Sequence, residues 1–154
     1  MSEQFETGGA VLGRGQVNVV RLTGLAGIIG GILMVVVAVV AWIGVSSQLR
    51  AEHIVIPDDA PILAGQVVDG PIDAYVQAGV IDMHARDIAD GKTYAELDRD
   101  DPLRATVMDA SFLRASLFTS VIAFGVALLA GGVGLMLVLL GWSLRVIVPP
   151  LPKR

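Results

Sequence analysis

The 154-residue chain contains no cysteine and only two histidines. Without thiols it cannot form disulfides, iron–sulfur clusters or zinc–thiolate sites. Aromatic residues make up 5% of the chain and charged residues 17%, against about 25% charged residues in an average soluble domain. The formal net charge is −4, and the sequence has no basic surface interleaved with aromatic residues. This composition argues against nucleic-acid binding.

Charge is absent from two long apolar stretches, residues 22–49 and 115–144, each flanked by arginines. Each stretch exceeds the roughly 20 apolar residues that cross a bilayer. In lipid, such a stretch must be helical to satisfy its own backbone hydrogen bonds. We therefore predict a membrane protein of the mainly α class, built as a hairpin of two transmembrane helices.

The two spans divide the rest of the chain into an N-terminal tail (1–21), a loop domain (50–114) and a basic, proline-rich C-terminal tail (145–154). Thirteen of the fifteen acidic residues lie in the loop domain. Lys and Arg near the span ends favour the two tails, which marks them as the cytoplasmic side. We expect a multi-pass protein of the cell membrane with both termini in the cytoplasm and an extracytoplasmic loop domain.

The loop domain is predicted to be small and of α(+β) type. Alternating apolar residues in 52–57 and 66–68 predict two short strands, and helical periodicity over 72–90 predicts a helix that covers them and ends at Gly91. Its apolar face is predicted to consist of Ile72, Tyr75, Val76, Gly79, Val80 and Met83.

A second helix is predicted to start beside the loop and to continue into the second span. Asp101 suits the N-cap position, and Pro102 suits the first helical position. No helix breaker follows before Arg145. The segment ahead of residue 115 would then form a helical stalk.

Small residues four positions apart lie on one face of each span, where they allow close helix contact. The candidate residues for helix packing are Gly27 and Gly31 in the first span and Ala123, Ala127 and Gly131 in the second, with Ala130 and Gly134 beside them. Glycine is also common in membrane helices without such a role. Trp42 and Trp142 lie near span ends, where indoles favour the headgroup region, although ordinary packing explains them nearly as well.

The sequence predicts no catalytic, cofactor-binding or metal-binding residues. His53, His84, Asp82 and Asp87 are the best metal-ligand candidates, but only His84 and Asp87 share a helix face. Two ligands do not make a specific site. The spans also lack the ionisable side chains that proton relays and ion pathways use.

Several segments resemble a known family. They are WIGVSSQL (42–49), APILAG (60–65), KTYAEL (92–97), Asp101-Pro102 and TVMDASFLRASLFTS (106–120). They are similar to small two-pass membrane proteins of mycobacteria and other actinobacteria, which often carry the label "aromatic ring-opening dioxygenase". The label implies a non-haem iron held by two histidines and a carboxylate, whereas neither histidine here sits in a recognisable motif.

We therefore expect a non-catalytic integral membrane protein without a cofactor. Its preferred function is an accessory or scaffolding subunit of an actinobacterial membrane complex, in respiration or in the envelope. The alternatives are a subunit of a ring-opening dioxygenase-like enzyme and a membrane-anchored extracytoplasmic binding or sensing module. The expected partners are membrane lipids and either other integral membrane proteins or a second copy.

Overall fold

The computed structural model describes residues 13–148, which form three helices: α1 (Arg14–Ala51), α2 (Pro71–Ile88) and α3 (Arg104–Ile147). Helices α1 and α3 are long and apolar enough to cross a membrane. The mainly helical class with two candidate spans is therefore confirmed. The predicted tails, 1–21 and 145–154, lie partly outside the described residues.

Helix α1 begins within the predicted N-terminal tail rather than at the first span. The Gly13 N–H donates to the Gln16 Oε1 at 2.9 Å, which is one half of a capping box. This contact satisfies a backbone donor at the helix start. Helical structure consequently extends ahead of the charge-free stretch.

Helix α3 runs without interruption from Arg104 through the second charge-free stretch, as the absence of breakers predicts. It begins slightly later than expected. The Asp101 Oδ1 accepts the Leu103 N–H at 2.8 Å, and the Arg104 N–H donates to the Asp101 carbonyl at 3.1 Å. Asp101 and Pro102 thus form a turn that leads into the helix.

The predicted strands are wrong, because no strand forms within residues 13–148. A single antiparallel bridge joins Val55 and Val67. Proline at position 57 has no N–H with which to extend the pairing, and the left-handed backbone of Leu63 and Gly65 turns the chain back instead. The loop domain is therefore α with turns, and not α(+β).

Helix α2 confirms the helix predicted over 72–90 but ends earlier, at Ile88. Asp90 adopts a left-handed conformation with φ of 51°, and the Gly91 N–H then donates to the Arg86 carbonyl at 2.8 Å. This is the longer hydrogen bond of a Schellman ending. The predicted Gly91 is left-handed as well, with φ of 81°, so both residues take part in ending the helix.

The chain folds into two units. The terminal unit contains residues 13–35 and 132–148, and the central unit contains residues 36–131. The central unit has the larger apolar core, which collects side chains from all three helices and from the connection between α1 and α2. Its buried members are Leu49, Ile56, Val68, Ala74, Val76, Ala78, Leu117 and Phe124.

Candidate functional site

Glycine allows the backbones of α1 and α3 to touch in the terminal unit. A Cβ placed on Gly24 would lie 2.7 Å from the Gly141 carbonyl oxygen, and one on Gly134 would lie 2.7 Å from the Gly31 carbonyl oxygen. Real Cβ atoms do not approach oxygen so closely, so any side chain would push the helices apart. The contacts advance along α1 from Gly24 to Gly31 while they go back along α3 from Gly141 to Gly134, so the two segments are antiparallel.

The predicted packing residues of α1 lie on this contact surface. A Cβ on Gly31 would overlap the Gly134 carbonyl and the Val138 side chain. A Cβ on Gly27 would lie 3.4 Å from the Leu137 carbonyl oxygen, which is ordinary van der Waals contact. The tightest contacts thus include Gly24 and Gly141, which are not among the predicted packing residues, and Gly134, which was predicted to lie beside the small-residue face of the second span.

A seven-residue spacing distinguishes these glycines. Gly24 and Gly31 are seven positions apart, and so are Gly134 and Gly141. A seven-residue repeat keeps side chains on one seam between two helices. The heptad spacing of glycine in both stretches was therefore the sequence signal for this interface, rather than the four-residue spacing.

The predicted packing residues of α3 lie in the central unit. Ala127 is buried, Ala123 is half-buried, and a Cβ on Gly131 would lie 3.4 Å from the Ala38 Cβ. Trp42 packs edge-to-face on Phe124 with ring centroids 4.7 Å apart. Of the two predicted interface anchors, Trp42 thus contributes to a helix contact.

Trp142, the other predicted anchor, lies in the terminal unit on an exposed part of α3. An arginine side chain binds the backbone carbonyl of the last described residue of that unit. The Arg21 Nη1 donates to the Val148 carbonyl at 2.8 Å, and a cation at the end of a helix satisfies carbonyls that lack a partner there.

In the central unit, both arginines that flank the charge-free stretches pair with carboxylates of the loop. The Arg50 Nη2 lies 2.6 Å from the Asp69 Oδ2, and the Arg114 Nη1 lies 2.7 Å from the Asp82 Oδ1. The Arg86 Nε also contacts Asp82, at 3.0 Å. These pairs connect α2 and the turn before it to the end of α1 and to α3 just ahead of its charge-free stretch.

Carboxylates also organise the start of α2 and the turn that follows the helix. The Asp73 Oδ2 accepts the N–H of Asp69 at 2.9 Å and that of Gly70 at 2.7 Å. Burial raises the pKa of Asp73, but these hydrogen bonds outweigh it, and the net pKa lies below the ordinary value. Past the helix end, hydrogen bonds from the backbone and hydroxyl of Thr93 lower the pKa of Glu96.

A third carboxylate joins α2 to the preceding turn. The Asp59 Oδ2 lies 2.6 Å from the His84 Nε2. The hydrogen bond with His84 lowers the pKa of Asp59. Of the residues considered as metal ligands, His84 is thus occupied with Asp59 and Asp82 with two arginines. Nowhere in residues 13–148 do three His, Cys, Asp or Glu side chains come together as a metal cluster would require.

The apolar face predicted for α2 is only partly buried. Val76 and Val80 are buried, but Tyr75 is 61% exposed and Ile72 is 66% exposed. The helix presents its small residues to the core instead, with Ala74 and Ala78 among its buried members. The larger apolar side chains therefore remain available on another face.

This face forms one wall of an open apolar groove, which we call the α2 groove. Its volume is about 410 Å³, within the range of small-molecule sites. None of its lining residues is charged. They are Pro61, Ile62, Ile72, Tyr75, Val76, Gly79, Val80 and Met83.

Helical periodicity identified six of these eight residues but not their role, because a periodic apolar face looks the same in sequence whether it is covered or open. Comparison with family models, curated proteins and solved structures finds no match for this chain. The α2 groove and the helix contacts are consequently the features on which a function can be argued.

Proposed function

We propose that this chain is a non-catalytic, two-pass integral membrane protein whose central unit is a membrane-anchored binding module. The observation that carries the proposal is the α2 groove, an uncharged concavity on an otherwise acidic segment. The ligand class implied by the lining is apolar, since no charged side chain is present to select a charged ligand.

The exposure of the two long helices supports a membrane location. Only 11% of the most apolar stretch of α1 and 17% of that of α3 is buried within the chain. A helix at the core of a soluble protein would be mostly buried, whereas here large apolar side chains such as Leu22 and Leu128 point outward. Lipid would cover this surface at little cost, because acyl chains are as apolar as leucine.

The distribution of charge supports an outer location for the loop part of the central unit. Its loop segment, 51–113, holds thirteen acids against four basic residues, while arginines and a lysine accompany the two tails. The absence of native cysteine makes a direct test simple. Ala95→Cys should react with an impermeant maleimide on intact cells, whereas Ser2→Cys should react only after permeabilisation; the reverse pattern would place the groove in the cytoplasm.

Site-specific photocrosslinking tests the binding function. A photoreactive phenylalanine analogue at Ile72 would sit in the α2 groove, and the same analogue at Ile88, an exposed apolar position of α2 outside the groove, is the matched control. We expect adducts from position 72 and few from position 88 in intact membranes. Equal yields at both positions would remove the case for a binding module.

A scaffolding or accessory subunit is the second candidate, and a different surface favours it. Phe112 and Leu113 are 65% and 57% exposed on α3, ahead of the charge-free stretch. Apolar side chains exposed outside lipid are typical of protein contacts. Phe112→Ser should release a co-purifying protein subunit in mild detergent, while Thr106→Ser should not. Mass spectrometry of the native complex would decide, and an unchanged composition would refute this candidate.

A further inference from the structure

We propose that the α2 groove holds one acyl chain of a membrane lipid. This inference rests on the proposed membrane location and names the ligand of the proposed binding module. Its starting point is the lining, in which aliphatic side chains, one methionine and one tyrosine surround about 410 Å³. An alkyl chain gains free energy with each methylene that it buries on such a surface.

The groove is continuous with the surface that the proposed membrane location assigns to lipid. Tyr75 packs edge-to-face on Phe118, with ring centroids 5.9 Å apart. Phe118 lies within the charge-free stretch of α3, and Tyr75 lies in the groove wall. An acyl chain leaving the bilayer along Phe118 would therefore meet Tyr75, and neither side chain is charged.

Charge at the start of α2 fits a lipid headgroup beside that end of the groove. Asp69 lies three residues before Ile72 and holds Arg50, whose side chain is 66% exposed. The Arg50 guanidinium uses Nε and Nη2 for Asp69, and a guanidinium offers five N–H donors. It can therefore also donate to a lipid phosphate.

Charge also argues against a second copy as the occupant. Segment 51–113 contains nine more acidic than basic residues, so two such segments would repel each other at close contact. A charged peptide would lose hydration in the groove without finding a charged partner. An uncharged acyl chain meets neither penalty.

The experiment uses the full chain in phosphatidylcholine nanodiscs in which a small fraction of the lipid carries a diazirine at the end of one acyl chain. After irradiation, trypsin cuts the protein at Arg50 and Arg86, so that one peptide, 51–86, contains the whole groove. Peptides 22–50 and 115–145 report on the spans. We expect label on all three, and little on peptide 105–114.

Gly79→Trp is the blocking variant. A Cβ on Gly79 has no neighbour within 4 Å, so the indole can enter the groove without displacing the protein backbone. Loss of even two buried methylenes weakens binding about tenfold, and we expect the label on 51–86 to fall about tenfold relative to that on 22–50. Ile88→Trp adds the same side chain to α2 outside the groove and should leave the label unchanged.

Ile72→Glu, with Ile88→Glu as its control, provides a second block by placing a carboxylate in the groove. If circular dichroism shows that Gly79→Trp has lost helical structure, Ile72→Glu still tests whether blocking the groove reduces the label on 51–86. Labelled spans with an unlabelled 51–86 would overturn the acyl-chain inference but leave the membrane location intact. Unlabelled spans would refute the membrane location itself. Label on 51–86 that neither block reduces, or crosslinks to a second copy or to the chain's own tails, would also overturn the inference.

Discussion

The terminal and central units hold their helices together by different means. In the terminal unit, glycines such as Gly31 and Gly134 bring two backbones into contact. The three arginine–carboxylate pairs and the Asp59–His84 contact found within residues 13–148 all belong to the central unit, where they accompany an apolar core. The difference matches the two solvents that we propose. Close backbone packing stabilises helix pairs in lipid. The charged pairs of the central unit all lie outside the charge-free stretches, on the part of that unit that we place in water.

The glycines of the two units differ in the space that is available for a side chain. Gly31 has no room for a side chain, whereas Gly79 has open space where its Cβ would be. The first glycine is required by a neighbouring helix and the second is not required by any described neighbour. Substitutions at these positions should consequently have opposite effects.

The largest effect is expected for Gly31→Leu in the terminal unit. Its Cβ would overlap the Gly134 carbonyl and lie 2.8 Å from the Val138 Cγ2. The helices must separate, and we expect a loss of about 3 kcal/mol, the upper end for overpacking. Thermal unfolding in detergent, followed by circular dichroism, should show a melting temperature lower by roughly 10 °C.

The matched control is the neighbouring residue, Gly30→Leu. A Cβ on Gly30 meets nothing within 4 Å, so the added leucine should be tolerated. Equal melting temperatures for the two variants would mean that the glycine contact does not hold α1 to α3 in the terminal unit.

Asp82→Asn tests the charge pairing of the central unit. The substitution preserves the shape of the side chain but removes the charge that Arg114 and Arg86 share. Since the Arg114 and Asp82 side chains are only about one-third exposed, we expect a loss of roughly 1–2 kcal/mol. Hydrogen–deuterium exchange in α2 measures it. Asp87→Asn, an exposed acid on the same helix, is the control; equal exchange in both variants would contradict this role for Asp82.

The helices could be predicted from sequence because their determinants are local. The charge-free stretches predicted the two long apolar helices, and the lack of a breaker after Pro102 predicted the continuous α3. The prediction of two strands is wrong, because strand pairing depends on contacts between separate segments of the chain and not on local residues. Pro57 and the left-handed Leu63 limit that pairing to one bridge.

Only part of the candidate site could be predicted from the sequence. Periodicity found Ile72, Tyr75 and Met83 as one face of α2, but whether a face is covered depends on the rest of the fold. The core contains the alanine face instead, with Ala74 and Ala78 buried in the same cluster as Leu117. Which glycines face each other across α1 and α3 could not be predicted either. Both four-residue and seven-residue glycine spacings occur in the sequence, and the choice between them depends on how the two helices contact each other.

Gly79→Ala should stabilise the protein slightly, in contrast to any substitution of Gly134. Alanine restricts the unfolded chain and suits a helix interior, and the structure has room for its methyl group. We expect a gain of about 0.5–1 kcal/mol, measured by chemical unfolding in detergent. Gly134→Ala is the comparison and should destabilise, because its Cβ would lie 2.7 Å from the Gly31 carbonyl oxygen. A loss on Gly79→Ala would show that the groove needs a bare backbone there.

The smallest effect is expected from acidification, which probes the Asp59–His84 contact beside the groove. A carboxylate whose pKa is lowered by folding adds stability above its ordinary pKa and loses it as the pH falls through the lowered value. The hydrogen bond with His84 lowers the pKa of Asp59, so the turn that carries Ile62 should stay in place from neutral pH down to about pH 4 and loosen only below it. The fluorescence of a dye attached at Ile62→Cys reports the pH midpoint of this loosening. His84→Ala should raise that midpoint toward about 3.9, whereas His53→Ala should not. Because the pair is exposed, high salt should raise the midpoint as well, and a midpoint insensitive to both His84 and salt would show that the groove wall does not depend on this contact.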